Sequence, residues 1–344
     1  MKVSVIGATG YSGIELIKIL NKHSFVEISS LHSHSPENYD KNIQDILPHL
    51  GKCVDLKVTE LDYDWICETS DLVFSACPSG VSKEVVTELV KRYQPVIDLS
   101  GDFRLDDSRE YKKYYGMEMD NTIVQEKFLY NLPDLSSHIT SSWVSNPGCY
   151  ATATLLALAP LIKNHLISDL IIVDAKSGLS GAGKALTNNS HFSTMNENMK
   201  MYKVNTHQHI PEIQQQLKKW SDGQYKLQFN TSLIPVTRGI FVASYVQLKP
   251  GLTLDDVQLM YEKEYNEKYF IRLQPKGQLP ELKQVIGSNF CDIGLAFNAE
   301  TGILTVVSVI DNLIKGASGQ AVQNMNLMFG YDEKEGLDFL PIYP

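Results

Sequence analysis

Strand and helix patterns alternate through the first hundred residues of the chain, and this alternation restricts its fold more than any other feature. The segments predict, in order, the strand Lys2–Ile6, the helix Ile14–Leu20, the strands Val26–Leu31 and Asp71–Ala76, the helix Val85–Lys91 and the strand Pro95–Leu99. Strands and helices in alternation build right-handed βαβ units. We therefore expect an α/β domain whose parallel sheet carries helices on both faces.

A glycine-rich loop, Gly7-Ala8-Thr9-Gly10-Tyr11-Ser12-Gly13, joins the first predicted strand to the first predicted helix. Glycines at such a turn let the backbone approach a pyrophosphate closely, and the helix N-terminus favours negative charge there. The spacing is G-x-x-G-x-x-G rather than G-x-G-x-x-G, so a plain strand-to-helix turn is the alternative. The position of the loop favours dinucleotide binding by Gly7, Thr9, Gly10, Tyr11, Ser12 and Gly13.

The end of the second predicted strand indicates which dinucleotide this loop would bind. NAD sites place an Asp or Glu about 20 residues further on, where it accepts hydrogen bonds from the ribose hydroxyls. Here the sequence reads Leu31-His32-Ser33-His34-Ser35, with no acid and also no Arg or Lys. Hydroxyls and imidazoles suit a 2′-phosphate better than a bare ribose. We therefore predict NADP as the cofactor, with Ser33 and His34 near its phosphate.

Cys149 is the candidate nucleophile. It follows Ser145-Asn146-Pro147-Gly148 and precedes Ala151–Ala159, a segment of strong helix formers. The thiol would thus lie at or just before a helix N-terminus, where unpaired backbone N–H groups favour negative charge and lower the pKa of a thiol. The alternative is a small buried hydrophobic side chain, which is the common role of a free cysteine.

The chain changes character after this helix. Long β-rich segments with few helices between them predict strands at Leu170–Val173, Leu227–Phe229, Gly239–Leu248 and Gly302–Ile310. The first of these strands ends in a second glycine-rich loop, Ser177–Lys184. We therefore predict a second, α+β domain with a mixed, largely antiparallel sheet. A last helix is predicted over Leu313–Phe329.

Two histidines could serve Cys149. His207 and His209 precede a predicted helix, Gln214–Trp220, and in extended backbone they would share one face. A role as general acid and base is the sharper interpretation. A metal site lacks an evident third ligand, and structurally hydrogen-bonded histidines are the remaining alternative.

Two arginines are candidates for binding anions. Arg104 lies just past a predicted strand end, and Arg238 lies where a turn enters a strand. A guanidinium at either place could bind a carboxylate or a phosphate through two hydrogen bonds. A structural salt bridge explains each position equally well.

Length and charge exclude several classes of protein. The 344 residues are enough for about two domains, and the formal net charge of -9 argues against a general affinity for nucleic acid or anionic membranes. Because a strand begins at Lys2, we expect no secretory signal, and no apolar run is long enough to span a membrane. The five cysteines show no C-x-x-C spacing, which fits a reducing cytoplasm and predicts no zinc site.

Taken together, these motifs resemble those of the N-acetyl-γ-glutamyl-phosphate reductases, a family of the semialdehyde dehydrogenase group. The resemblance runs almost from end to end. It is carried by eight blocks in the family's order: Gly7–Gly13, Asp98–Leu105, Ser145–Tyr150, Ser177–Lys184, His207–Ile213, Pro235–Gly239, Gly287–Gly294 and Asp311–Gln320. Each block is modest alone, and eight of them in order are highly specific.

The resemblance implies a domain plan and a set of roles. It implies an NADP-binding Rossmann domain of residues 1–148 and 311–344 and a catalytic and dimerisation domain of residues 149–310, in a homodimer or homotetramer. The implied catalytic residues are Cys149 as nucleophile and His209 as acid/base, with His207 and Glu212 beside it. The implied binding residues are Arg104, Asn146 and Arg238 for substrate, Gly178, Ser180 and Gly181 around the nicotinamide, and Asn312 at the cofactor.

The resemblance also implies a reaction, the NADPH-dependent reduction of an N-acetylglutamyl 5-phosphate to its semialdehyde and phosphate in arginine biosynthesis. The family often carries an Arg at the position of His34, so the 2′-phosphate clamp is weaker here. Two rivals stand beside this reaction. One is reduction of another acyl phosphate, as in an aspartate-semialdehyde dehydrogenase, and the other is a non-catalytic sensor of NADP.

Overall fold

The computed structural model describes residues 1–119, 127–188, 190–221 and 225–343. They form two compact units: the first unit is Met1–Gly148 with Ala317–Phe339, and the second unit is Cys149–Gly316 with Leu340–Pro344. The predicted first domain includes residues 311–344, whereas the residues up to Gly316 and those from Leu340 onward fall in the second unit. Asp311 is bonded within the second unit, where its side chain accepts a hydrogen bond from the Gly287 N–H and its carbonyl accepts one from the Gly316 N–H.

The first unit contains a seven-stranded parallel sheet, as the alternation of strands and helices predicts. Its strand order is β3-β2-β1-β4-β5-β7-β6. The strands are β1 Lys2–Ile6, β2 Glu27–His32, β3 Val58–Thr59, β4 Leu72–Ser75, β5 Val96–Asp98, β6 Leu129–Tyr130 and β7 Trp143–Ser145. The order reverses between β1 and β4, and in open α/β sheets a ligand crevice forms beyond the carboxyl ends of such strands.

Helices of the first unit follow the strands that they connect. They are Tyr11–Leu20, Ile43–Ile46, Tyr63–Thr69, Val81–Lys91, Ser108–Tyr115 and Gly319–Phe329, with 3-10 turns at Pro36–Asn38, Pro48–Leu50 and Pro133–Leu135. Val3 to Ile6 of β1 are all buried, which is the pattern of a strand covered on both faces. Against it packs the first helix, in which Leu16, Ile17 and Leu20 are fully buried.

The C-terminal helix Gly319–Phe329 belongs to the first unit, a placement that composition could not establish. The Ser318 hydroxyl donates to the carbonyl of Ser12 at 2.8 Å. Asn324 of this helix is fully buried and donates to the Asn146 side-chain carbonyl at 3.0 Å, while the Asn131 amide donates to Asn324 at 2.8 Å. Buried amides are stable only when they are paired in this way.

The second unit contains a seven-stranded mixed sheet in the order β12-β13-β14-β11-β8-β10-β9. The pairs β8–β10 and β12–β13 are parallel and the other four are antiparallel, which confirms the predicted mixed, largely antiparallel sheet. The strands are β8 Ile167–Ser177, β9 Lys200–Tyr202, β10 Lys226–Leu233, β11 Ile240–Leu248, β12 Ile271–Leu273, β13 Cys291–Asn298 and β14 Ile303–Ile310.

The helices of the second unit are Cys149–Lys163, Phe192–Met195, His209–Trp220 and Leu254–Tyr265, with 3-10 turns at Leu179–Ala182 and Leu282–Gln284. The helix predicted over Leu313–Phe329 is interrupted, because Ile314–Ser318 form a π-helical turn before the α-helix begins at Gly319. No helix in the described parts of the chain is both long and apolar enough to cross a membrane.

The Cys149 helix, Cys149–Lys163, is the central element of the second unit. Every residue from Tyr150 to Ile162 is buried. Pro160 has no N–H and leaves the carbonyl of Leu156, four residues earlier, without its helical donor. The hydroxyl of Tyr265 supplies a hydrogen bond to this carbonyl, and Tyr261 donates to the next one, Ala157. The helix that begins at Cys149 is therefore held by its neighbours despite the internal proline.

Candidate active site

Cys149 is the first residue of its helix, so the structure places the thiol at the helix start that the sequence predicted. Its residue is partly exposed, unlike Tyr150 and the twelve residues that follow, which are buried. Its sulfur belongs to no disulfide among the described residues. The first backbone N–H groups of a helix have no partner inside the helix and favour an anion. The geometry therefore supports a thiolate or an oxyanion at this point.

Tyr150, the residue that follows Cys149, packs against both histidines. Its ring centroid lies 5.2 Å from that of His207 and 6.1 Å from that of His209, with edge-to-face geometry in both cases. The two imidazole centroids lie 4.7 Å apart. The structure thus brings the predicted histidine pair together beside the residue that follows the candidate nucleophile.

The reason that we gave for the pairing of the histidines is wrong. His209 does not lie in extended backbone, because it begins the helix His209–Trp220, and Gln208 before it already has αR dihedral angles. Pro211 falls in the first turn, where its missing N–H costs no helical hydrogen bond. The rings meet because His207 folds back, with its Nδ1 accepting the His209 backbone N–H at 3.2 Å.

The environment separates the roles of the two histidines. Burial, helped by the positive charges of His209 and Lys203, lowers the pKa of His207 to about 2. His207 is therefore neutral at every ordinary pH, and because its Nδ1 accepts a hydrogen bond, its proton sits on Nε2. Glu212 is buried in the first turn of the same helix, where a carboxylate interacts favourably with the helix dipole.

Two tyrosines of the site were missed by the sequence analysis. The Tyr202 hydroxyl donates to the Tyr150 hydroxyl at 3.2 Å, which in turn donates to the Ser232 carbonyl at 3.4 Å. Burial raises the pKa of Tyr202 to about 12 and raises the pKa of Tyr150 further, and negative charge on Cys149 adds to both shifts. Tyr150 could have been found from its place beside Cys149. Tyr202 lies on β9 and has no sequence signal.

A second cluster of the predicted site residues surrounds Arg238, whose side chain is one-quarter exposed. Its Nη1 lies 3.5 Å from a carboxylate oxygen of the fully buried Asp311. The neighbouring Asn312 side chain accepts the Gly239 N–H at 2.7 Å and donates to the Ser180 hydroxyl at 3.0 Å. Asn312, predicted at the cofactor, thus ties two loops of the second unit together.

The glycine loop after β8 is packed directly on the Arg238 turn. The Gly178 N–H donates to the Gly239 carbonyl, and the Ser180 N–H donates to the Thr237 carbonyl at 3.0 Å. A Cβ at Gly178 would lie 2.8 Å from the Thr237 oxygen, which explains why glycine is required there. Ser180 is buried, whereas Gly181 is exposed, so this short 3-10 turn presents its backbone at Gly181.

The glycine loop of the first unit has the shape that a dinucleotide needs. Gly7 has a φ of +85°, and a Cβ there would lie 2.6 Å from the Ala76 carbonyl oxygen. A Cβ at Gly13 would lie 2.2 Å from the Gly7 oxygen. Gly10 caps the helix Tyr11–Leu20 without a side chain, and Thr9, Tyr11 and Ser12 are at least partly exposed. A bare backbone at a helix N-terminus beside the sheet crevice fits a pyrophosphate.

The residues after β2 divide into a buried support and an exposed surface. The His32 carbonyl accepts the N–H groups of Gly7 and Ala8 at 3.0 and 3.1 Å, so it fixes the glycine loop. Burial lowers the pKa of His32, which keeps its imidazole neutral between Ser30 and the carbonyl of Glu60. Ser33 is buried with its hydroxyl accepting the Ser35 N–H, and His34 is exposed.

Arg104 and Asn146, both predicted to bind substrate, contact one another in the first unit. Arg104 is buried, and its guanidinium donates to the carbonyls of Asn146 at 2.9 Å and Leu99 at 2.7 Å. The Asn146 N–H donates to the Asp98 carbonyl, and its amide donates to Ala317 at 3.1 Å. These hydrogen bonds fix Asn146, which directly follows β7 in the first unit.

In the four described segments, no group of three or more His, Cys, Asp or Glu side chains could hold a metal ion.

Two family models match this chain, one over most of the first unit and one over most of the second unit. Residues 2–142 match the family model described as semialdehyde dehydrogenase, NAD binding domain, and residues 149–312 match semialdehyde dehydrogenase, dimerisation domain. The chain is therefore an oxidoreductase of the semialdehyde dehydrogenase class, and its first unit is a dinucleotide-binding domain.

Relatives that match over their full length identify the family within the semialdehyde dehydrogenase class. The N-acetyl-gamma-glutamyl-phosphate reductase of Listeria monocytogenes serotype 4a is 50% identical over 345 residues, and that of Streptococcus thermophilus is 49% identical over 344 residues. Each alignment covers 100% of both chains. The chain belongs to the N-acetyl-gamma-glutamyl-phosphate reductase family.

Solved structures share the fold at lower identity. Aspartate semialdehyde dehydrogenase II of Vibrio cholerae has a TM-score of 0.72 at 18% identity, covering 95% of this chain and 97% of its own. The aspartate semialdehyde dehydrogenase of Candida albicans, solved with NADP, has a TM-score of 0.68 at 17% identity, covering 93% of this chain and 96% of its own. These similarities confirm the predicted α/β fold.

Proposed function

We propose that this chain catalyses the NADPH-dependent reduction of N-acetyl-L-glutamyl 5-phosphate to N-acetyl-L-glutamate 5-semialdehyde and phosphate, a step of arginine biosynthesis in the cytoplasm. The relatives of about half identity carry the name of this activity over their whole length. The observation that carries the proposal is the partly exposed Cys149 at a helix start, beside a buried tyrosine that packs against two imidazoles.

Cys149 is the nucleophile of the proposed reaction. Its sulfur forms a bond to the acyl carbon, and the bond from that carbon to the phosphate oxygen breaks, which leaves a thioester. Backbone N–H groups at the helix start stabilise the oxyanion that forms in between. A thiol suits both halves of the reaction because it is nucleophilic near neutral pH and also leaves readily.

His209 moves the proton in this scheme. It takes the thiol proton as sulfur attacks and gives that proton to the departing phosphate oxygen, so that charge and atoms balance. His207 is held neutral by its burial and supports His209 through the hydrogen bond from the His209 N–H to its Nδ1. The Tyr150 ring packs against both imidazoles, and Glu212, buried in the first turn of the His209 helix, is proposed to support His209.

The first unit holds the cofactor through the loop from Gly7 to Gly13. NADPH, when bound, supplies the hydride that converts the thioester to the semialdehyde and releases the Cys149 thiolate. Ser33 and the exposed His34 are placed after β2, where they would contact the 2′-phosphate. Ser180, Gly181 and Asn312 of the second unit are proposed as further cofactor neighbours.

Arg238 is proposed to bind an anionic group of the substrate. Its guanidinium lies 3.5 Å from the Asp311 carboxylate, and its side chain is one-quarter exposed. Arg104 is buried and already donates to two carbonyls, so its proposed contribution to substrate binding is to fix Asn146. A bidentate guanidinium is the side chain best matched to a carboxylate or phosphate.

The proposed assembly is a homodimer through the sheet of the second unit. Ile172 on β8 and Tyr245 on β11 are paired across the sheet, and their exposed fractions are 37% and 38%. Leu170 on β8 is 48% exposed. Apolar side chains grouped on one sheet face are typical of an interface. A Tyr245→Asp substitution is expected to shift the sedimentation coefficient toward that of the monomer.

The experiment that tests the activity runs the reaction backwards. N-acetylglutamate 5-semialdehyde, phosphate and NADP should give NADPH absorbance, and omission of phosphate should abolish the signal. Aspartate semialdehyde is the matched rival substrate, and NAD is the matched rival cofactor. Turnover with aspartate semialdehyde alone would contradict the proposed substrate, and turnover with neither aldehyde would leave an NADP sensor as the better account.

A further inference from the structure

The segment that follows β14 lies against the nucleophile and has an unusual geometry. Residues Ile314–Ser318 form a π-helical turn, closed by a hydrogen bond from the Gly316 N–H to the Asp311 carbonyl at 2.9 Å. Such turns are rare and occur preferentially at functional sites. A Cβ added at Gly316 would lie 2.6 Å from the Cβ of Cys149 and 3.2 Å from its Cα. The turn is therefore in direct contact with Cys149.

A single buried carboxylate holds this turn in place. Asp311 is fully buried, and one of its carboxylate oxygens accepts the N–H groups of Leu313 and Ile314 at 2.8 and 3.1 Å. The other oxygen accepts the Gly287 N–H at 2.8 Å and lies 3.5 Å from Arg238. Carboxylate acceptors for backbone N–H groups make stronger hydrogen bonds than neutral acceptors do.

The turn is also anchored from the side of Lys315. This lysine is fully buried, and its Nζ lies 5.3 Å from the centroid of the Phe270 ring. Lysine is almost never fully buried unless its surroundings compensate for the loss of hydration. Because this segment carries a buried lysine and a buried aspartate within five residues, a shift of the turn would expose or unpair a charge and is therefore costly.

We propose that Asp311 and Gly316 are positioning residues for Cys149. Asp311 fixes the π-helical turn, and Gly316 presents a side-chain-free surface against which the Cys149 β-carbon rests. This contact holds the thiol at the helix start, where the backbone N–H groups favour the thiolate. The same carboxylate orients Arg238. One residue, Asp311, therefore fixes the positions of both the nucleophile and the anion-binding side chain. The inference rests on the proposed role of Cys149 as nucleophile.

The test measures the reactivity of the Cys149 thiol toward an alkylating reagent, in the protein without cofactor or substrate. Full-length wild type, Gly316→Ala and Asp311→Asn are treated with iodoacetamide, and the alkylation of the peptide that contains Cys149 is followed by mass spectrometry between pH 6 and 9. The exposed Cys53 in the first unit is an internal reference. Both variants are expected to slow Cys149 alkylation at pH 7 at least tenfold and to move its pH midpoint upward, with Cys53 unchanged.

Matched controls separate positioning from loss of stability. Asp292 is another buried aspartate of the second unit, paired with Arg272 at 2.6 Å, so Asp292→Asn also removes a buried ion pair. Gly251 has a φ of +88°, and a Cβ added there would meet no atom within 4 Å, so Gly251→Ala adds strain without a contact. Both controls should leave Cys149 alkylation within twofold of wild type while lowering the melting temperature.

Steady-state kinetics give a second readout. Gly316→Ala should lower kcat at least 100-fold while the KM for phosphate stays within threefold, because the added methyl group displaces the sulfur and not the anion site. A Cys149 alkylation rate at or above wild type in the variants that bind NADP would overturn the proposal. If Gly316→Ala does not fold, the rate of Cys149 alkylation in the isosteric variant Asp311→Asn tests the proposal in its place. A wild type inactive on the semialdehyde refutes the proposed function alone, since alkylation needs no substrate.

Discussion

The two glycine-dependent regions of this protein are built in opposite ways. The loop from Gly7 to Gly13 in the first unit is continuous in sequence, and its shape comes from backbone contacts among neighbouring strand ends. The site around Cys149 in the second unit collects side chains from residue 149 to residue 316. A local, backbone-made site tolerates few glycine replacements but many side-chain changes, whereas a dispersed site depends on individual side chains. Substitutions in the two regions should therefore affect different measured properties of the protein.

The largest effect is expected at Cys149. Replacement by Ala removes the nucleophile, so turnover should fall by more than about 10³-fold, while NADP binding by the first unit stays within threefold of wild type. Phosphate-dependent NADP reduction and NADPH fluorescence titration measure the two quantities. Cys53→Ala, at an exposed thiol of the first unit, is the control and should keep full activity. Activity of the Cys149 variant within tenfold of wild type would remove it from the chemistry.

Substitution of His209 should lower kcat far more than substitution of His207. His209→Asn is expected to lower kcat by about 10²–10⁴-fold, the usual contribution of a general acid/base. His207→Asn should cost much less in kcat, because the pKa of His207, lowered to about 2, leaves it neutral in the working range. The pH–rate profile should keep its shape in His207→Asn, because that imidazole does not change its charge in the working range. Equal losses of kcat in the two variants would contradict this division of labour.

The glycine loop should respond to the addition of one methyl group. In Gly13→Ala the new Cβ would overlap the Gly7 carbonyl oxygen at 2.2 Å, so the loop must shift. We expect the affinity for NADP to fall more than tenfold and the free energy of unfolding to fall by about 1–3 kcal/mol. Gly330→Ala, where a methyl group meets no atom within 4 Å, should leave the affinity unchanged. Iodoacetamide should still alkylate Cys149 at the wild-type rate if the two regions are independent.

The smallest expected effect is the contribution of Asp98, at the end of β5, to the pH dependence of the free energy of unfolding. Burial, together with the negative charge of Asp102, raises the pKa of Asp98 from 3.8 to about 6. The folded state therefore holds this proton more tightly than the unfolded state. Its contribution to stability is full below about pH 4 and is lost as the pH rises through 6, by roughly 1–3 kcal/mol.

Urea unfolding of wild type and Asp98→Asn between pH 4 and 7 measures this contribution. The stability of the variant relative to wild type should rise with pH across this range. Asp107 is a control of opposite sign, because hydrogen bonds from Arg109 lower its pKa to about 2 and its contribution disappears only as the medium becomes acidic. A difference between Asp98→Asn and wild type that stays constant with pH would show that folding does not raise the pKa of Asp98.

The same contrast explains what the sequence could predict. The glycine loop and the four predicted strands of the first unit, β1, β2, β4 and β5, are periodic or contiguous, and the structure reproduces them within a few residues. The helix start at Cys149 was also predictable, since strong helix formers follow it. In contrast, Tyr202 lies on a three-residue strand, and the π-helical turn after Asp311 interrupts an ordinary helical pattern. Both depend on contacts between residues far apart in the chain.

The histidine motif shows how a correct grouping can come from a wrong premise. The alternation of His207 and His209 suggested extended backbone, but Gln208 already has helical dihedral angles and His209 begins a helix. The hydrogen bond from the His209 N–H to the His207 side chain, rather than strand geometry, holds the two rings together. Asn312 was joined to the predicted site only by the resemblance to a family, because its place in the sequence carries no signal, whereas Arg238 was already a candidate anion binder from its place at a turn.

Cys149 is proposed to carry the acyl group during turnover. The direct test mixes the protein with N-acetylglutamate 5-semialdehyde and NADP in the absence of phosphate, quenches in acid and maps the peptides by mass spectrometry. We expect an N-acetylglutamyl thioester on the peptide that contains Cys149, and this thioester should disappear when phosphate is added before the quench. An active protein that never shows this adduct, or that shows it on another residue, would show that Cys149 does not carry the acyl group.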